Sequence, residues 1–108
     1  MIYRNTDAKP VEMLPGLLRR TLVEGVSMMI CECTFESGIE VPNHSHAHEQ
    51  AGYVVSGRIR LTIDGQSFDL GPRDSYYVPA NVPHSALSLE PCVVIDTFSP
   101  PREDYRVS

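Results

Sequence analysis

The sequence has no tryptophan, a single lysine (Lys9) and only 7% aromatic residues. No window approaches the roughly 18 consecutive apolar residues of a helical membrane span, so none is expected. Basic residues are outnumbered, 9 Lys and Arg against 14 Asp and Glu, for a net charge of −5. With no basic run, nucleic acid and anionic membranes are not expected as partners. The three cysteines, Cys31, Cys33 and Cys92, are an odd number and form no CxxC pair, which argues against a disulfide framework. Residues 1–16 carry charges and Pro10 instead of the apolar stretch of a signal peptide, so the expected location is the cytoplasm. Helical periodicity is weak throughout.

What is present is period-two alternation. In Arg58–Asp64, Ile59, Leu61 and Ile63 share one face and polar residues the other, the pattern of a half-buried strand. In Met29–Glu36 the odd positions are apolar while Glu32, Thr34 and Glu36 face out. Cys31 and Cys33 then read as two small buried side chains on one strand face. Asp64-Gly65 between two such runs signals a type I′ hairpin. Further strands are expected at Leu17–Glu24, Ala51–Ser56, Gln66–Leu70, Ser75–Val78, His84–Leu89 and Cys92–Phe98. About eight short antiparallel strands separated by Gly and Pro predict an all-β sandwich or small barrel. The 108 residues fit one domain, with 1–16 as an N-terminal arm or edge strand. Residues 99–108 are expected as an extended tail leaving the sheet, since Pro100 and Pro101 cannot occupy a strand interior.

Histidine is the concentrated residue. Three of the four, His44, His46 and His48, fall within five positions, and the fourth is His84. Residues two apart on an extended chain point to the same face about 6.5–7 Å apart, close enough for two imidazoles to converge on one ion. His84 follows Pro79 and Pro83 in a segment that would hold it rigidly.

These segments resemble the two motifs of the cupin superfamily. In the first, G-x5-H-x-H-x3,4-E-x6-G, Gly38, His44, His46 and Gly57 are in register and Gln50 stands where glutamate is usual. In the second, G-x5-P-x-G-x2-H-x3-N, Pro79 and His84 fit, while Arg73, Asn81 and Ser88 replace the two glycines and the asparagine. Asparagine tolerates a left-handed backbone, so the turn at Asn81 can survive. The resemblance implies a single-domain jelly-roll barrel holding one divalent metal ion on His44, His46, Gln50 and His84. Glu49 competes for the fourth place, but its parity along an extended chain is wrong. His48 fits no ligand position and reads as a pocket-rim residue. Three imidazoles and an amide suit Zn, Ni, Mn, Co or Fe. They leave the ion nearly its full charge, a Lewis acid that attracts anionic oxygen.

The second informative stretch is the end. Asp96 closes the apolar run Val93-Val94-Ile95 and shares a face with Val94 and Phe98. A carboxylate pointing into an apolar barrel is costly unless paired, and Arg102 is one candidate partner. H-x-H-x-H-E-Q with a terminal D-x-F-x3-R is similar to the small cupins of pectin and alginate breakdown, which open the ring of 4,5-unsaturated monouronates. That resemblance implies catalytic roles for Asp96 and Arg102 and substrate contacts from Phe98, Tyr53 and Arg102. Tyr76 or Tyr77 would also line the mouth. The substrate would be a small anionic sugar acid. Two rival functions share the histidines: a metal-dependent dioxygenase, and a non-catalytic sugar-binding cupin in which Asp96 and Arg102 merely clamp the tail. A homodimer is expected, because exposed sheet edges are normally covered.

Overall fold

In the computed structural model, which describes residues 1–107, the alternation becomes two facing antiparallel sheets. There are ten strands: β1 (Val11–Leu14), β2 (Leu17–Glu24), β3 (Met29–Phe35), β4 (Glu40–His44), β5 (Glu49–Ser56), β6 (Ile59–Ile63), β7 (Gln66–Leu70), β8 (Ser75–Val78), β9 (His84–Ser88) and β10 (Cys92–Ser99). One sheet has the order β1-β2-β3-β10-β5-β8 and the other β4-β9-β6-β7. The only helical elements among the described residues are 3-10 turns at Asn5–Asp7 and Glu103–Tyr105.

Each sheet turns its inward parity to a common core. On β10 the buried residues are Cys92, Val94, Asp96 and Phe98, and on β5 they are Gln50, Gly52 and Val54. At one end Leu17, Phe35, Val54, Ile59, Leu61, Cys92 and Val94 form a continuous apolar cluster. A smaller cluster of Met29, Cys31 and Phe98 lies at the other end. The polar positions between them belong to the site.

The turns follow local chemistry. Asp64 and Gly65 adopt φ of 50° and 79°, as a type I′ hairpin requires. Asn81 takes φ 66°, and its backbone N–H donates to the carbonyl of His46 at 2.7 Å, which ties the second motif to the first. Arg73 also lies in the left-handed region, at φ 74°. Its position therefore demands the backbone that glycine adopts without cost. Ser88, fully buried, donates to the Glu36 carbonyl and accepts from the Ile39 N–H at 2.8 Å, fastening β9 to the loop before β4.

Two expectations are corrected. Two strands lie beyond the eight, both at sheet edges: β1, where residues 1–16 are expected as an arm or edge strand, and β4, which is not expected; their residues are mostly exposed and alternation is not enforced. The tail does not leave the sheet. It folds back so that Tyr105 packs on the Met29, Cys31 and Phe98 cluster, and the Tyr105 carbonyl accepts a hydrogen bond from Thr21 Oγ1 at 2.7 Å. Aromatic burial and this bond hold the tail down after the prolines end β10.

Candidate metal centre

His44 ends β4, His84 begins β9, and the two are paired in register. His46 lies in the loop that follows β4. The potential ligand atoms of His44, His46 and His84 all lie within 4.8 Å of one another. Each ring has one nitrogen fixed by the backbone. His44 Nδ1 meets the Pro42 carbonyl at 2.8 Å, His46 Nδ1 the His48 carbonyl at 2.9 Å, and His84 Nδ1 the Val82 carbonyl at 2.9 Å. A carbonyl only accepts, so Nδ1 carries the proton in all three rings and Nε2 presents a lone pair. The Nε2 atoms of His46 and His84 are buried without a hydrogen-bond partner. Burial pushes the pKa of both rings down, which keeps them neutral. Convergent, uncharged and unpartnered Nε2 atoms suit a divalent ion, with the backbone carbonyls orienting the rings from behind.

Gln50 is buried on the inward face of β5 and lines the same cavity. Its Nε2 donates to Asp96 Oδ1 at 2.9 Å. That bond commits the amino group and leaves the amide oxygen, the only atom of the group able to bind a metal, free of it. Glu49 points to the opposite, exposed face and accepts a hydrogen bond from the Tyr77 hydroxyl at 2.8 Å. His48 stands edge-on to His46, with ring centroids 5.5 Å apart, outside the convergent trio.

Asp96 is 8% exposed. Its Oδ1 accepts from both Gln50 and the Tyr76 hydroxyl, the latter at 2.5 Å. Burial holds its pKa above the usual carboxylate range, opposed by these two bonds and by the charge of Arg102. The Tyr76 pKa is raised well above its ordinary value, first by burial and then by the neighbouring carboxylate. Tyr76 reaches Asp96 because Gly52 lies beneath its ring. A Cβ on Gly52 would come 2.0 Å from the ring carbon bearing the hydroxyl.

Phe98 packs edge-on to His46, with centroids 5.9 Å apart, and to Tyr105 at 5.7 Å. The Arg102 guanidinium carbon sits 5.3 Å from the Phe98 ring centroid. Arg102 makes no ion pair with Asp96; it pairs with Asp104 at 3.2 Å. The rival reading in which Asp96 and Arg102 merely clamp the tail is thereby corrected, since they form no ion pair and both line the cavity. Tyr53 is also corrected. It is 44% exposed because inward parity on β5 belongs to Gln50, Gly52 and Val54. Of Tyr53, Tyr76 and Tyr77, Tyr76 is the one that lines the cavity, and Tyr77 faces out.

The cavity measures about 170 Å3. That is below the roughly 300–1,000 Å3 of sites for drug-sized ligands, so it fits a small molecule.

Residues 31–98 match the cupin domain. The chain belongs to the cupin family. This cupin is 33% identical over 106 residues to the pectin degradation protein KdgF of Dickeya dadantii, covering 95% of this chain and 96% of that one. It superposes on the structure of KdgF from Halomonas sp. with a TM-score of 0.93 and 31% identity, over 98% of each chain. An RmlC-like cupin from Shewanella frigidimarina gives a TM-score of 0.91 at 34% identity, over 95% of this chain and 93% of that one.

Sequence reasoning missed Arg19, Gly52 and Tyr105 as residues of this cupin's site. Arg19 had a readable signal, since it shares parity with Leu17 and Thr21 in β2. Nothing in the sequence marks Gly52 or Tyr105, whose positions depend on β8 and on the returning tail.

Proposed function

We propose that this cupin opens the ring of 4,5-unsaturated monouronates to give linear keto sugar acids. One observation carries the reading. A buried carboxylate, Asp96, is held by Tyr76 and Gln50 in the cavity that also receives His44, His84, Phe98 and Arg102. The likeness to proteins named for pectin degradation supports the same substrate class.

The histidines and the Gln50 oxygen would hold a divalent ion. When bound, it supplies Lewis acidity and positive charge for the oxygens of the substrate. Arg102 presents a planar fork to an anionic group. Phe98 packs against the sugar ring. Asp96 takes the proton of the anomeric hydroxyl, the bond from C1 to the ring oxygen breaks, and an aldehyde and an enolate result. Asp96 returns that proton to C4, and the enolate becomes the ketone. The conversion is an isomerisation and needs no oxidant. A positioned carboxyl group of this kind contributes about 10²–10⁴-fold. Tyr76 fixes the orientation of Asp96.

The test is the ultraviolet absorbance of the enol ether. Purified protein supplied with a divalent metal should remove it from the unsaturated uronate, and Asp96→Asn should lose about 100-fold or more of the rate. No turnover with any of Zn, Ni, Mn, Co or Fe would overturn the reading. Oxygen uptake would favour a dioxygenase, and binding without product a sensor. We also infer a homodimer, because Val11 and Met13 of edge strand β1 and Leu18 of β2 are exposed. Light scattering at the monomer mass would contradict it.

A further inference from the structure

Arg19 is a buried charge that the proposed chemistry leaves unused. It lies on the inward face of β2, 5% exposed, and lines the cavity. One Nη donates to the Met13 sulfur at 3.1 Å, and the guanidinium carbon stands 4.1 Å from the Tyr105 ring centroid. Its Nε is buried without a partner. Among the described residues no carboxylate lies within ion-pairing distance of it. A guanidinium has five N–H donors, and a thioether and a ring face satisfy them poorly. Burying such a charge without a counter-ion is unfavourable.

Arg102 shares part of the pattern, although one Nη pairs with the exposed Asp104 at 3.2 Å. Its guanidinium carbon is 4.0 Å from the same Tyr105 ring, and its Nε is also buried and unpartnered. With distances of 4.1 and 4.0 Å to one centroid, the two guanidinium carbons are no more than 8.1 Å apart. Two like charges at that distance repel, and an anion beside both relieves the repulsion. Asp96 does not serve, since it pairs with neither arginine and is held by Tyr76 and Gln50.

We propose that Arg19 binds the substrate carboxylate and forms with Arg102 a two-arginine clamp framed on Tyr105. The ligand class is a small planar carboxylate carried on a polar ring, a sugar acid and not a neutral sugar or an ester. This rests on the small-acid reading of the cavity and adds the group that sets acid specificity. The planar fork of arginine matches a carboxylate through two parallel N–H bonds. The returning tail acquires a role, because Tyr105 positions both forks and Arg102 supplies one.

Calorimetry with D-galacturonate and its neutral methyl ester tests the clamp on the full chain. Wild type should bind the acid at least tenfold more tightly than the ester. Arg19→Met should abolish that preference by weakening the acid tenfold or more, and should raise KM for the unsaturated uronate. Arg19→Lys, which keeps the charge without the fork, should recover part of the preference, and it carries the test should Arg19→Met fail to fold. Acid preference retained in Arg19→Met, or fully wild-type preference in Arg19→Lys, would overturn the proposal and leave Arg19 a cation–π support for the tail. A wild type with no acid preference overturns it equally. Acid preference that depends on Arg19, in a protein that leaves the unsaturated uronate closed, would sink the ring-opening reading and keep the clamp. Ring opening by Arg19→Met at the wild-type KM would do the reverse.

Discussion

Strands β10 and β5 each pass through two different environments. Near one end their inward residues are Cys92, Val94 and Val54, enclosed by Leu17, Phe35, Ile59 and Leu61. Near the other end the same parity carries Asp96 and Phe98 on β10, and Gly52 and Gln50 on β5. From Val94 to Ser99 the register with β5 is continuous across the change, and the one irregularity, between Val93 and Val94, lies within the apolar half. The apolar half gains stability by burial and needs no partners. The polar half holds Asp96, Arg19 and three imidazoles, whose polar atoms are only partly satisfied by the protein. Burying polar groups with incomplete pairing is unfavourable. The apolar half offsets that cost and leaves the mouth groups available to a ligand.

Substitutions at either end separate the two environments. The largest effect is expected at the mouth. His84→Ala should lower metal affinity by more than about 100-fold, beyond the 10–100-fold typical of residues that only support a ligand. Metal content by mass spectrometry checks it, and the thermal melt of the metal-free protein should change little. Ile59→Ala, in the apolar half, should cost about 2–5 kcal/mol of stability, read by urea unfolding, while the folded fraction still binds metal. Gly52→Ala strikes the boundary between the halves. Its Cβ displaces the Tyr76 ring, so overpacking should cost about 1–3 kcal/mol and the bond to Asp96 should be lost. Tyr76→Phe removes that bond without the clash, and the rate should fall about tenfold or more, as for a hydrogen bond to a charged group. Comparing the two variants separates packing from chemistry.

The smallest effect lies outside both halves. Arg60 on β6 and Asp69 on β7 form an exposed cross-strand pair at 2.7 Å, and Arg60 holds the Asp69 pKa below its usual value. Stability from a lowered carboxylate is present above the unfolded value of about 4 and is lost as pH falls through the folded one. Asp69→Asn should therefore shift the melting temperature by no more than about 2 °C at neutral pH, and less in acid. A shift as large as that of Ile59→Ala would erase the distinction between surface and core.

Eight of the ten strands are legible in the sequence, most because each buries a face and so alternates, and the exposed β7 because the Asp64-Gly65 turn pairs it with β6. Strand β1 is legible only as an arm or edge strand without bounds, because mostly exposed residues have no buried face to enforce alternation. Strand β4 is hidden further by Pro42, which an edge tolerates. The convergence of His44, His46 and His84 is legible through spacing and the cupin resemblance together. The preference for Gln50 over Glu49 follows from strand parity, and Glu49 lies on the exposed face. Parity also places Tyr53 outside, since it lies three residues from Gln50 and one from Gly52, an odd offset from both. The partners of Asp96 are not legible. Gln50 is 46 residues away and Tyr76 is 20, and they meet only because β10 and β8 both pair with β5.

The sequence by itself determined the strand-rich architecture, the histidine cluster and the inward parity of Asp96 and Phe98. These depend on neighbours within a few residues, where backbone geometry is fixed by the period of a strand. Only the tertiary structure decided that the tail folds back onto the sheets, that Asp96 is held by Tyr76 and Gln50 and not by Arg102, and that Arg19 and Arg102 share Tyr105. Those contacts join residues distant in sequence, and no local period records which strands will lie side by side.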